Sequence, residues 1–111
     1  MATTQTLPAD PITLDKIYNE ILDGHRVWLD KVHEAFNKQC ETIQAEAEEK
    51  LKTVDENDKE TRQKILDDQK QQLDKVLFEL KQTVNKASKE TMTRLEEIEQ
   101  KKDELESAII L

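Results

Sequence analysis

The chain is poor in the residues that interrupt helices. One of its 111 residues is glycine and two are proline, and Pro8 and Pro11 both lie within the first eleven positions. From Ile12 onward no proline removes a backbone donor, and Glu, Lys, Gln, Leu and Ala dominate. A single glycine, Gly24, also leaves no means of building a glycine-rich phosphate loop. Cys40 is the only cysteine, so an intrachain disulfide is excluded, and a lone thiol suits a reducing compartment. One Trp, one Tyr and two Phe are too few to line a large ligand pocket, which argues against a small-molecule substrate or cofactor. No stretch approaches the length of a membrane span, and Met1–Pro8 carries neither a basic region nor an apolar run. The expectation is a cytoplasmic protein, although a signal-less secretion route would leave the same sequence.

Positive charge is also in deficit. The net charge is −8, spread along the chain rather than gathered in a block. Nucleic-acid binders carry a basic face, and none is visible, so no nucleic acid is expected as a partner. Anionic membranes are disfavoured for the same reason.

What the chain does have is a helical apolar stripe. Apolar residues make up 35% and charged residues 38%, a balance that suits helices each burying one narrow face. In the first half the stripe recurs every eleven residues. Leu14, His25, Phe36 and Ala47 form one row; Ile21, Val32, Ile43 and Val54 another; Tyr18, Leu29, Cys40 and Leu51 a third. In the second half Leu77, Val84, Thr91, Ile98 and Leu105 recur every seven, flanked by Leu73, Leu80 and Ala87. A seven-residue repeat implies a left-handed supercoil, whereas an eleven-residue repeat runs nearly straight or slightly right-handed.

The stripe predicts an all-α fold of two long helices, packed as an antiparallel helical hairpin or coiled coil. The alternative is one near-continuous helix in an extended antiparallel dimer. Residues 1–11 read as a disordered tail, with Asp10 a capping residue and Pro11 suited to the first turn. Residues 12–111 read as a single helical domain, with helix 1 over about 12–54, a turn at about 55–58 and helix 2 over about 58–108. Gly24 weakens helix 1, but the rows continue in phase across it, so the helix is expected to run on unbroken. Asn57 and Glu60 match a capping box that would start helix 2, and Asp55 with Asp58 is an overlapping, weaker match.

The expected interaction seam comprises Leu14, Ile17, Ile21, Trp28, Val32, Phe36, Ile43, Leu73, Leu77, Leu80, Val84, Leu95, Ile98 and Leu105. Two helices alone bury too little to offset the entropy of ordering about a hundred residues. A homo-oligomer, most simply a dimer, or a helical protein partner is therefore expected.

Candidate chemistry is thin. His25, His33 and Cys40 are the only soft metal ligands, and adjacent ligands on one helix sit three or four residues apart, which these do not. Asp30 and His33 match half of a di-metal helical site, without the inward glutamates such a site also needs. Paired acids such as Glu48/Glu49, Asp67/Asp68 and Glu96/Glu97 suit a wet helix face. No catalytic, metal or cofactor site is expected. The sequence reads as a non-catalytic structural or scaffolding module, with a small chaperone or adaptor for a client's amphipathic helix as the alternative. The apolar end Ile109-Ile110-Leu111 is a further candidate for partner capture.

Overall fold

A computed structural model describes residues 7–110, with the side chains of Ile109 and Ile110 left aside. The expectation of a disordered tail over residues 1–6, and that of partner capture by Leu111, lie outside the described residues. The protein is an all-α helical hairpin of two long helices, α1 (Pro11–Lys52) and α2 (Lys59–Ile110). Its contacts form two compact units. Unit 1 joins the first part of α1, through Trp28, to the last part of α2, from Asn85. Unit 2 spans Leu29–Val84 and holds the connecting turn.

Both helices start on an aspartate. Asp10 accepts from the Ile12 amide at 3.2 Å and from the Thr13 hydroxyl at 2.6 Å, satisfying donors that the first turn leaves orphaned. At α2 the cap is Asp58, not the expected Asn57: its Oδ1 accepts from the Thr61 amide at 3.2 Å. Asn57 instead donates its own amide to Asp55 at 3.0 Å, inside the turn. The Asp55 side chain closes a local Asx turn, and that moves the helix start one residue on.

Both capping carboxyls are held below the usual range. Side-chain hydrogen bonding, from Thr13 to Asp10 and from Thr61 to Asp58, is the largest cause. A depressed folded-state pKa stabilises the fold above the unfolded carboxyl value, about 3.9. That contribution is lost as pH falls through the folded value. Asn caps as well as Asp but does not titrate. Asp58→Asn should therefore flatten the fall of melting temperature between neutral pH and strong acid, while changing the neutral value little.

The end of α1 has no glycine to turn it, and no described residue has a positive φ. The chain tightens instead: Thr53 and Val54 donate their amides to Lys50 and Leu51 at 3.2 and 3.3 Å. Arg62, one turn into α2, then reaches back. Its Nη1 lies 3.3 Å from the Leu51 carbonyl and 3.4 Å from that of Val54. A cation is thereby placed on the negative end of α1. Arg62→Ala should cost about 1–2 kcal/mol of stability in urea titrations, by leaving two carbonyls without their charged donor.

Burial along α1 follows the eleven-residue repeat. Leu14, Tyr18, Ile21, His25, Leu29, Val32, Phe36, Cys40, Ile43, Ala47 and Leu51 are all buried or half-buried, in steps of three and four. The helix passes through Gly24 unbroken. Apart from its chain neighbours and the adjacent backbone of its own helix, no atom lies within 4 Å of where a Cβ would stand on Gly24, so no close approach requires glycine there. Gly24→Ala should raise stability by about 0.5–1 kcal/mol, read as an upward shift in melting temperature.

In α2 the structure departs from the seven-residue reading. The inward positions are Arg62, Ile65, Gln69, Leu73, Val76, Leu80, Val84, Ala87, Thr91, Leu95, Ile98 and Lys102. Their steps of three, four and four repeat every eleven residues, as in α1. An ordinary helix turns every 3.6 residues, which is nearer to the 3.67 of this repeat than to 3.5. Val84, Thr91 and Ile98 fit either period, so the seven-residue row persuades from sequence. It fails at Leu77, which is 38% exposed while Val76 and Leu80 point inward.

Candidate interaction surface

Polar contacts fix the register in each unit. In unit 1, His25 lies 3.3 Å from the Thr91 hydroxyl and 3.5 Å from that of Ser88, and Lys102 pairs with Asp15. In unit 2 the Arg62 bonds play that part. Counting outward, Ile21 comes level with Leu95 in unit 1. Val32 comes level with Val84, Phe36 with Leu80, and Ala47 with Gln69 in unit 2. The eleven-residue rows of the two helices therefore meet layer by layer.

The resulting seam is shallow. Among the described residues only Leu14, Ala47 and Ile98 are buried. Of the other expected seam residues, Ile17, Ile21, Trp28, Val32, Phe36, Ile43, Leu73, Leu80, Val84, Leu95 and Leu105 are half-buried, and Leu77 is exposed beside the seam. Two helices cover only the inward edge of each side chain.

His25 is the main polar element of unit 1. Its ring stacks on Trp28, with centroids 5.8 Å apart and planes 22° apart. Both ring nitrogens face hydroxyls, which can donate or accept as the tautomer requires. Ser88, His25 and Thr91 are residue types that elsewhere form nucleophile, base and orienter. All three sit within continuous helix, whose internal amides are already used, so no backbone pair is available to hold an oxyanion. The cluster reads as a satisfied polar layer.

Tyr18 lies half-buried in the same unit, and its phenol is raised above the ordinary value by burial first and then by the nearby Glu99 charge. The Lys102 ammonium is also raised, chiefly by its hydrogen bond to Asp15.

The candidate metal ligands do not converge. The exposed His33 donates Nδ1–H to the Leu29 carbonyl of its own helix at 2.8 Å. Cys40 is half-buried seven residues, about two turns, beyond it. Among the described residues no group of three His, Cys, Asp or Glu side chains could hold a metal ion. The paired carboxylates Glu48/Glu49, Asp67/Asp68 and Glu96/Glu97 are all exposed, where water screens them. Of these, Glu49 pairs with Lys52 at 3.1 Å; elsewhere on α1, Glu34 pairs with Lys38 at 3.5 Å.

Open grooves run beside the seam. In unit 1 a hollow of about 500 Å³ is lined by Ile17, Ile21, Gly24, Trp28, Ala87 and Arg94, among others. In unit 2 a smaller one, about 230 Å³, is lined by Val32, Phe36, Gln39, Val76, Leu80 and Thr83. Both are walled by apolar side chains and rimmed by polar ones. No helix among the described residues is long and apolar enough to cross a membrane. No family model, curated protein or solved structure matches the chain.

Sequence reasoning did not anticipate Arg62 as the tie between α1 and α2, nor Ser88 as a partner of His25. The signal was present in the eleven-residue rows. Extended into α2, they run Arg62, Leu73, Val84, Leu95 and put a cation where the apolar pattern stops.

Proposed function

We propose that this chain is a non-catalytic helical module that joins copies of itself and so holds attached or bound parts together. One observation carries the reading: a seam with only three buried side chains among the described residues leaves most of its apolar surface half-wet. The hydrophobic gain from such a seam is small against the entropy of two helices of 42 and 52 residues. A second pair of helices supplies the missing cover, as in four-helix bundles. The acidic surface keeps the module off nucleic acids and anionic membranes, and its setting is the cytoplasm. No cofactor or small-molecule substrate enters this reading.

The test is to join the chain to donor and acceptor fluorescent proteins that are themselves monomeric. Mixing the two fusions should give energy transfer that saturates and that excess untagged chain competes away. Absence of transfer at high micromolar concentration overturns the reading.

A second reading rests on the unit 1 groove beside Trp28: an adaptor that holds a client's amphipathic helix. An open groove of this kind should bind an apolar dye and shift the Trp28 emission.

A further inference from the structure

Unit 2 presents two lateral faces, one on each side of its seam, and they differ in chemistry. One is flanked by Gln39, Lys50, Gln72 and Thr83, and the 230 Å³ groove opens on it. The other carries Leu66, Leu73, Leu77 and Val84 from α2, with Cys40, Leu51 and the exposed polar His33 and Gln44 from α1. Leu66 and Leu77 are 43% and 38% exposed and stand eleven residues apart, so they repeat on one line along α2. This line stands just outside the half-buried row of Leu73 and Val84.

Charge is segregated at the borders of this second face. On the outer edge of α2 stand Lys59, Lys70 and Lys81, all exposed and again eleven residues apart. On the outer edge of α1 stand Asp30, Glu41 and Glu48, also exposed. Asp74 and Lys52 are the exceptions at these edges. An apolar strip with a basic border on one helix and an acidic border on the other is complementary to itself.

We propose that a second copy of this chain docks on this face, related by a twofold axis parallel to the helices. Each α1 then lies over the α2 of the other copy, and the acidic edge of one meets the basic edge of the other. A twofold across the helices would stack α1 on α1 and α2 on α2, setting like charges together. The inference rests on the self-association proposed above and specifies its surface.

Sedimentation equilibrium on the full chain tests it. Leu66→Glu with Leu77→Glu should weaken the dimer about a hundredfold or more, since four carboxylates would enter the apolar strip. Gln39→Glu with Gln72→Glu, on the grooved face, should leave it nearly unchanged. Lys70→Glu with Lys81→Glu, and separately Glu41→Lys with Glu48→Lys, should each weaken the dimer about tenfold at low salt. Mixing these two variants should restore association, and they carry the test should the leucine variant lose helicity by circular dichroism. Oxidation should not link Cys40 to Cys40, because the two α1 helices lie diagonally, beyond disulfide reach. A monomeric wild type overturns both this inference and the proposed function. A wild-type dimer that survives the leucine and lysine changes overturns the face alone. A rapid Cys40 cross-link overturns the twofold.

Discussion

Ile98→Ala and Leu14→Ala should each cost the hairpin about 2–5 kcal/mol, the largest losses expected from single truncations among the described residues. Ile98 is 1% exposed and Leu14 is fully covered, and both lie in unit 1. The cost of a truncated side chain is the lost transfer energy plus the cavity left behind, and both parts need burial. Half-buried seam residues such as Val84 collapse into solvent when shortened and lose only part of this. Domains are commonly stable by about 5–15 kcal/mol, so one such change removes a large share. Urea titration at a concentration too low for self-association should show the midpoint falling far more for Ile98→Ala and Leu14→Ala than for Leu77→Ala. The exposed Leu77 should move by about 0.5 kcal/mol or less under those conditions.

A single alanine inserted between Asn85 and Lys86 should do more, by acting on every later layer at once. One extra residue rotates the rest of α2 by about 100° around the helix axis. Ala87, Thr91, Leu95, Ile98 and Lys102 would leave the seam of unit 1 together, and His25 would lose both hydroxyl partners. Unit 2 ends at Val84, so its layers keep their phase. Amide exchange should therefore accelerate by about a hundredfold or more through unit 1, where about 1.4 kcal/mol is worth each factor of ten. Protection within Leu29–Val84 should change little. Equal loss in both units would show that the layers do not pack unit by unit.

Much of this architecture is legible in the sequence because helices leave a strong periodic signature. The absence of proline after Pro11, the rows from Leu14 to Val54 and the empty stripe between Asp55 and Lys64 together give two helices and a turn. The period of α2 is harder to read. Seven- and eleven-residue rows share Val84 and Ile98, and only the burial of Val76 beside an exposed Leu77 separates them. The cap of α2 is ambiguous for a related reason. Asp55, Asn57 and Asp58 all carry capping side chains within one turn, and which one caps depends on the local Asx geometry. Arg62 is opaque from sequence because its role depends on two carbonyls at the end of the other helix. The candidate ligands His25, His33 and Cys40 show the converse. Their residue types suggest chemistry, and their placement gives a hydroxyl-bound layer, a backbone-bonded surface ring and a seam filler.

The most direct measurement is the mass of the unmodified chain in solution across a wide concentration range, by sedimentation equilibrium, with the melting temperature recorded in parallel. A seam left half-covered by two helices should yield a dimer, and a melting temperature that rises with concentration because association and folding are linked. A chain that stays at 13.0 kDa throughout, with a melting temperature independent of concentration, would contradict the claim that a second copy completes the fold.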